Sequence, residues 1–128
     1  MRFFIPLFVL ICCNRPVSAA MSLGIVCEAE YGGRVERIEV RPAADVFSFQ
    51  SVVLQQRFRF QAQWLPHRAK LKTMLYERRG QSFALLHSAE YPLGQYACPI
   101  EAIDLGLNKV YASELEREVF YQCKLRCE

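Results

Sequence analysis

Hydrophobic and polar residues alternate along most of the chain beyond residue 20, with the period of β-strands. Over 22–31, Leu23, Ile25, Cys27, Ala29 and Tyr31 fall on one side and Val26, Glu28 and Glu30 on the other. That pattern predicts a half-buried strand with Cys27 on its apolar face. Gly32-Gly33 is a hairpin-type turn signal. A second short strand is expected over 35–40, ended by Arg41-Pro42. Two readings fit 46–54. Phe47, Phe49, Ser51 and Val53 suit a strand, while the preceding Pro42-Ala43-Ala44-Asp45 also suits the start of a short helix.

The plainest strand runs over 57–65, where Phe58, Phe60, Ala62 and Trp64 alternate with Arg57, Arg59, Gln61 and Gln63. Pro66-His67-Arg68 breaks it. Over 69–77, Leu71, Thr73 and Leu75 oppose Lys70, Lys72, Met74 and Tyr76, and Arg78 to Gln81 form a turn. The next strand, 83–91, places Phe83, Leu85, His87, Ala89 and Tyr91 on one face, and Pro92 to Gly94 ends it. Residues 95–108 read as loop, with a short buried segment around Ile103, Leu105 and Leu107. Residues 110–117 are compatible with helix or strand, because Ser113-Glu114-Leu115-Glu116 has the form of a capping box. Residues 118–127 alternate again, with Val119, Tyr121, Cys123, Leu125 and Cys127 on one side.

Six or seven short strands without a long helix predict an all-β domain. Each apolar face needs a covering partner. The expected architecture is a small two-sheet β-sandwich, immunoglobulin-like, or a small barrel, stapled by disulfides.

Residues 1–20 stand apart from this pattern. Arg2 precedes an apolar run from Phe3 to Cys13, followed by Asn14-Arg15-Pro16 and the small residues Ser18, Ala19 and Ala20. This is the layout of a secretory signal peptide cleaved after Ala19 or Ala20. The competing reading is an anchor helix, but eleven residues span only about half of a bilayer core. The division is therefore a leader, 1–20, and a single domain, 21–128, in the periplasm or secreted. The leader inflates the composition: the whole is 52% hydrophobic, the remaining 108 residues about 49%.

Removing the leader also removes Cys12 and Cys13 and leaves Cys27, Cys98, Cys123 and Cys127. Four cysteines in an exported domain suggest two disulfides. On one face of a strand, Cys123 and Cys127 lie about 13 Å apart and cannot bond each other. Each then needs one of Cys27 and Cys98. A cysteine-based metal or redox module is the alternative, although Cys123 and Cys127 are the only close pair.

Charge is distributed unevenly. Residues 57–79 hold seven basic residues and one acid, Glu77, while the rest of 21–128 holds seven basic and twelve acidic residues. If 57–65 and 69–77 pair antiparallel, Arg57, Arg59, Lys70, Lys72 and Tyr76 share an outward face. A basic face with an aromatic suits another envelope or secreted protein or an anionic surface. The same charges also serve simply to keep an outer face soluble. Export argues against nucleic acid as the partner.

No catalytic motif appears: there is no Gly-x-Ser-x-Gly, His-Glu-x-x-His or phosphate loop. His87 and Ser88 are neighbours on one strand and point to opposite faces, so they do not form a base–nucleophile pair. His87 is expected to be a partly buried histidine with a local hydrogen bond, and His67 a solvated turn residue. Neither a metal nor a cofactor is expected, and the chain reads as non-enzymatic.

Cys27 and Cys123, with Ser88-Ala89-Glu90-Tyr91, give the chain a resemblance to bacterial periplasmic inhibitors of c-type lysozyme. Those are small exported β-barrels with a cysteine in the first strand, another near the C-terminus and a Ser-Gly-x-x-Tyr type loop. Here Ala89 stands at the glycine position and the serine-to-tyrosine spacing is one residue shorter. The resemblance implies lysozyme inhibition as an alternative to a binding or structural role on another envelope component.

Overall fold

A computed structural model describes residues 21–112 and 117–128. The leader and the Ser113–Glu116 capping box lie outside the described residues. Eight strands are described: β1 (Leu23–Tyr31), β2 (Arg34–Val40), β3 (Gln50–Leu54), β4 (Phe58–Leu65), β5 (Lys70–Arg79), β6 (Ser82–Pro92), β7 (Ile103–Ala112) and β8 (Arg117–Cys127). A single 3₁₀ turn, Pro66–Arg68, links β4 to β5. All ladders are antiparallel and form two four-stranded sheets, β2-β1-β8-β7 and β3-β4-β5-β6.

The alternating apolar residues make the sheets face each other. Ile25, Cys27, Ala29 and Tyr31 of β1 and Val119, Tyr121, Cys123 and Leu125 of β8 share one buried cluster with Phe58, Phe60 and Ala62 of β4 and Leu71 and Leu75 of β5. Aromatic pairs reinforce the contact: Tyr31 meets Phe58 edge-on at 4.8 Å, and Phe60 meets Tyr121 at 4.9 Å. One end is tied by Gln55, whose backbone is left-handed (φ 45°) and whose Nε2 donates to the Tyr31 carbonyl at 2.9 Å. A side chain on Gly32 would meet that amide at 3.0 Å, and Gly32 itself has φ +60°. Glycine is therefore required at the β1–β2 turn on two grounds.

Both disulfides follow from the ladders. Cys27 lies directly opposite Cys123 in the β1–β8 register, and the two are bonded. Cys127, four residues on, bonds Cys98 in the β6–β7 connection. Each C-terminal cysteine takes one of the two others, as the strand spacing required, and all four thiols are consumed.

Four expectations need correction. Residues 95–108 are not loop throughout, because Ile103–Ala112 forms β7; residues 110–112 belong to that strand. In the 46–54 segment, strand begins only at Gln50. The face assigned to 83–91 also changes. A register shift leaves Leu75 opposite His87 but Tyr76 opposite Leu85, so Leu86 is an extra residue. This bulge keeps His87, Ala89 and Tyr91 inward and turns Phe83 and Leu85 to the outer face. Finally, of Ile103, Leu105 and Leu107, expected to form a short buried segment, Leu107 is exposed, whereas Gln61 and Gln63, on the outer side of β4, are buried.

Candidate binding face

The outer face of the β3–β6 sheet gathers the expected basic residues, but in two groups. At one end Val53, Arg59, Tyr76 and Leu85 form a row across all four strands, each opposite the next. The Arg59 guanidinium lies 4.9 Å from the Tyr76 ring centre and 4.5 Å from that of Phe83. Among the described residues its Nε is buried without a hydrogen-bond partner and no carboxylate lies within ion-pair distance. Stacking holds the guanidinium plane and leaves donors along its edge, the arrangement that receives a carboxylate or phosphate. Val53 and Leu85 are 46% and 56% exposed beside it. The Arg78 guanidinium lies 6.0 Å from the Phe83 ring centre and donates to the carbonyls of Gln56 and Gly80. Arg57 precedes β4, exposed, with its carbonyl accepting from the Arg78 amide.

The second group is Lys70 and Lys72, at the far end of β5. Lys70 pairs with Glu90 at 3.3 Å on the surface, an interaction worth about 0–1 kcal/mol. Lys72 stands opposite Gln63 on one side and Glu90 on the other. Sequence reasoning therefore found Arg59 and Tyr76 together but missed Phe83, Leu85 and Val53. Only the bulge at Leu86 brings Phe83 and Leu85 to this face, and no residue type announces it.

A second polar group lies inside. The hydroxyl of Tyr121 is 3.0 Å from Thr73 Oγ1 and 2.8 Å from His87 Nδ1. His87 is half-buried as expected, but its partner is on the facing sheet rather than local. Burial, first, pushes the Tyr121 hydroxyl up to about 12, with the bond to Thr73 working against it and Tyr91 adding to it. Tyr91 in turn accepts from Asn108 Nδ2 at 2.7 Å. Ser88 to Tyr91 lie within β6, in ladder with β5, rather than in a loop.

No protein-family model, curated protein or solved structure matches the chain. Among the described residues no group of three or more histidine, cysteine or acidic side chains is placed to hold a metal ion, and no helix is long and apolar enough to cross a membrane.

Proposed function

We propose that the protein is an exported, non-enzymatic binding domain acting on another envelope component through the outer face of its β3–β6 sheet. The carrying observation is Arg59, stacked on the rings of Tyr76 and Phe83 with its Nε buried and unpaired among the described residues. A guanidinium held this way is pre-organised for an anionic group, so less freedom is lost on binding. The leader pattern supports export, and the two disulfides suit an oxidising compartment. Each strand neighbours its sequence neighbours within a sheet, and β1 pairs with β8. That order supports a small barrel-like arrangement over an immunoglobulin-like one.

The test is charge reversal at both groups. The double variant Arg59→Glu, Lys70→Glu is expected to lose retention of envelope components on the immobilised protein while remaining folded, with a thermal midpoint about 5–10 °C lower because Arg59 gives up its two aromatic contacts. Equal retention by the variant would dismiss this face.

A second reading, lysozyme inhibition, is supported by the Cys27–Cys123 link between the first and last strands. It anticipates inhibition of a c-type lysozyme at nanomolar concentrations of the purified protein. Full lysozyme activity at micromolar protein ends it.

A further inference from the structure

The chain leaves the line of β3 for six residues at the other end of the same face. The amide of Ala43 donates to the Trp64 carbonyl, and Gln50 pairs with Ala62. Residues 44–49 thus arch over Gln63, the outward residue between those two positions. Gln63 Nε2 donates to the carbonyls of Val46 (2.8 Å) and Ser48 (3.1 Å) and pins the arch from beneath. Asp45 Oδ1 accepts from the Phe47 amide and the Ser48 hydroxyl, which hold its carboxyl below the usual range. These bonds fix a short loop whose apolar side chains face water: Val46 is 58% exposed, Phe47 81% and Phe49 47%. Folding alone does not call for burying Gln63 in order to hold a phenylalanine in solvent.

Cations surround the tip. Lys72 stands across from Gln63 and Lys70 across from Leu65. Arg68 lines a hollow shared with Ala43 to Val46. Arg41, just before the arch, donates its amide to Gln50. The acids nearby are engaged: Asp45 within the loop, Glu90 with Lys70, and Glu39, which shares a hollow with Arg41, with Arg126. A cationic rim repels a second copy of itself laid face to face. It matches a surface that is negative at its boundary and apolar a few ångströms below, which describes an anionic lipid bilayer.

We infer that Val46–Phe49 is a pre-formed membrane anchor that inserts Phe47 into the headgroup–acyl boundary of an anionic bilayer while Lys72 and Arg68 meet the lipid phosphates. The inference rests on the cationic-face reading above and names the partner for it. Val46 and Phe47 are exposed, so replacing them leaves the core untouched.

The experiment is co-sedimentation of the purified protein with vesicles of phosphatidylcholine alone or with about one-third phosphatidylglycerol. Wild type is expected to partition onto the anionic vesicles and not the neutral ones, and less so as salt rises. The variant Val46→Ser, Phe47→Ser is expected to bind roughly tenfold or more weakly, the scale of losing a buried phenylalanine, with an unchanged thermal midpoint. Anionic-vesicle binding that the serine variant retains in full would overturn the anchor while leaving the cationic face standing. No vesicle binding by wild type would overturn the bilayer as occupant. In that case charge-sensitive retention of envelope components would still uphold the face. Concentration-dependent self-association abolished by the serine variant would overturn it in favour of a second copy, with Phe47 filling the hollow of about 90 Å³ beside the loop.

Discussion

Replacing Cys27 and Cys123 together by alanine is expected to lower stability by about 4–5 kcal/mol, the chain-entropy value for a loop of this length. The bond joins residues 96 positions apart and links the first strand to the last. Without it, the β1–β8 ladder that completes one sheet is closed only by hydrogen bonds and side-chain packing. Both cysteines are buried in the core, so serine replacements should cost more than alanine, because each adds a hydroxyl away from water. The Cys98–Cys127 bond closes only 29 positions and is expected to contribute about 3–4 kcal/mol. It fixes the β6–β7 connection, where the Ile100 amide also points at Cys127 Sγ, 3.2 Å away. Chemical denaturation of the two double-alanine variants measures both values. A larger loss for the Cys98–Cys127 pair would contradict this account.

Two strand readings failed for one physical reason. A period-two pattern reports which face a residue takes only while the ladder keeps phase. In β6 the extra residue Leu86 shifts phase, so Phe83 and Leu85 face outward although they look continuous with His87. In β7 the ladder shifts between Asp104 and Leu107, around Gly106 at φ +110°. Ile103, opposite Leu125, and Val110, opposite Val119, both face the core despite unlike parity. Asn108 also faces inward, opposite Tyr121, and that polar residue in the core-facing row disguised the strand further. Regular strands, by contrast, were legible: β1, β4, β5 and β8 keep one phase throughout, and so the cysteine pairing was constrained by spacing alone. The candidate face was half legible. Arg59 and Tyr76 sit on in-phase strands, whereas Phe83 and Leu85 come through a bulge. The arch over Gln63 depends on a tertiary hydrogen bond that no local pattern encodes. The binary pattern places Gln63 on the side away from Ala62 and Trp64, and its burial beneath residues 44–49 is what gives that loop its shape.

Raising the pH from about 10 to about 12 is expected to remove about 1–2 kcal/mol of stability through Tyr121 alone, less than the full value of a two-unit shift because the hydroxyl is only partly shielded from solvent. The Tyr121 side chain is buried in the core, and this burial raises its hydroxyl from 10.0 to about 12. A tyrosine is neutral when protonated, so the raised value means that the folded state favours the neutral form. The unfolded chain ionises first, near its ordinary value. The stabilisation is therefore complete below pH 10, declines above it, and is gone once the pH passes the folded value. Other tyrosines and lysines titrate in the same range, so the comparison must be with Tyr121→Phe. At pH 7 that variant should be about 1–2 kcal/mol less stable, because Thr73 and His87 each lose a buried partner. As the pH rises, wild type alone bears the cost of ionising a hydroxyl packed against Phe60, and the gap should close. With a two-unit shift the two stability curves are expected to meet at about pH 11–12. Urea titrations of both proteins at pH 7, 9, 10, 11 and 12 would measure it. A difference that stays constant over that range would mean that Tyr121 ionises as readily in the folded protein as in the unfolded chain, and that the Thr73–Tyr121–His87 chain is wetter than its burial implies.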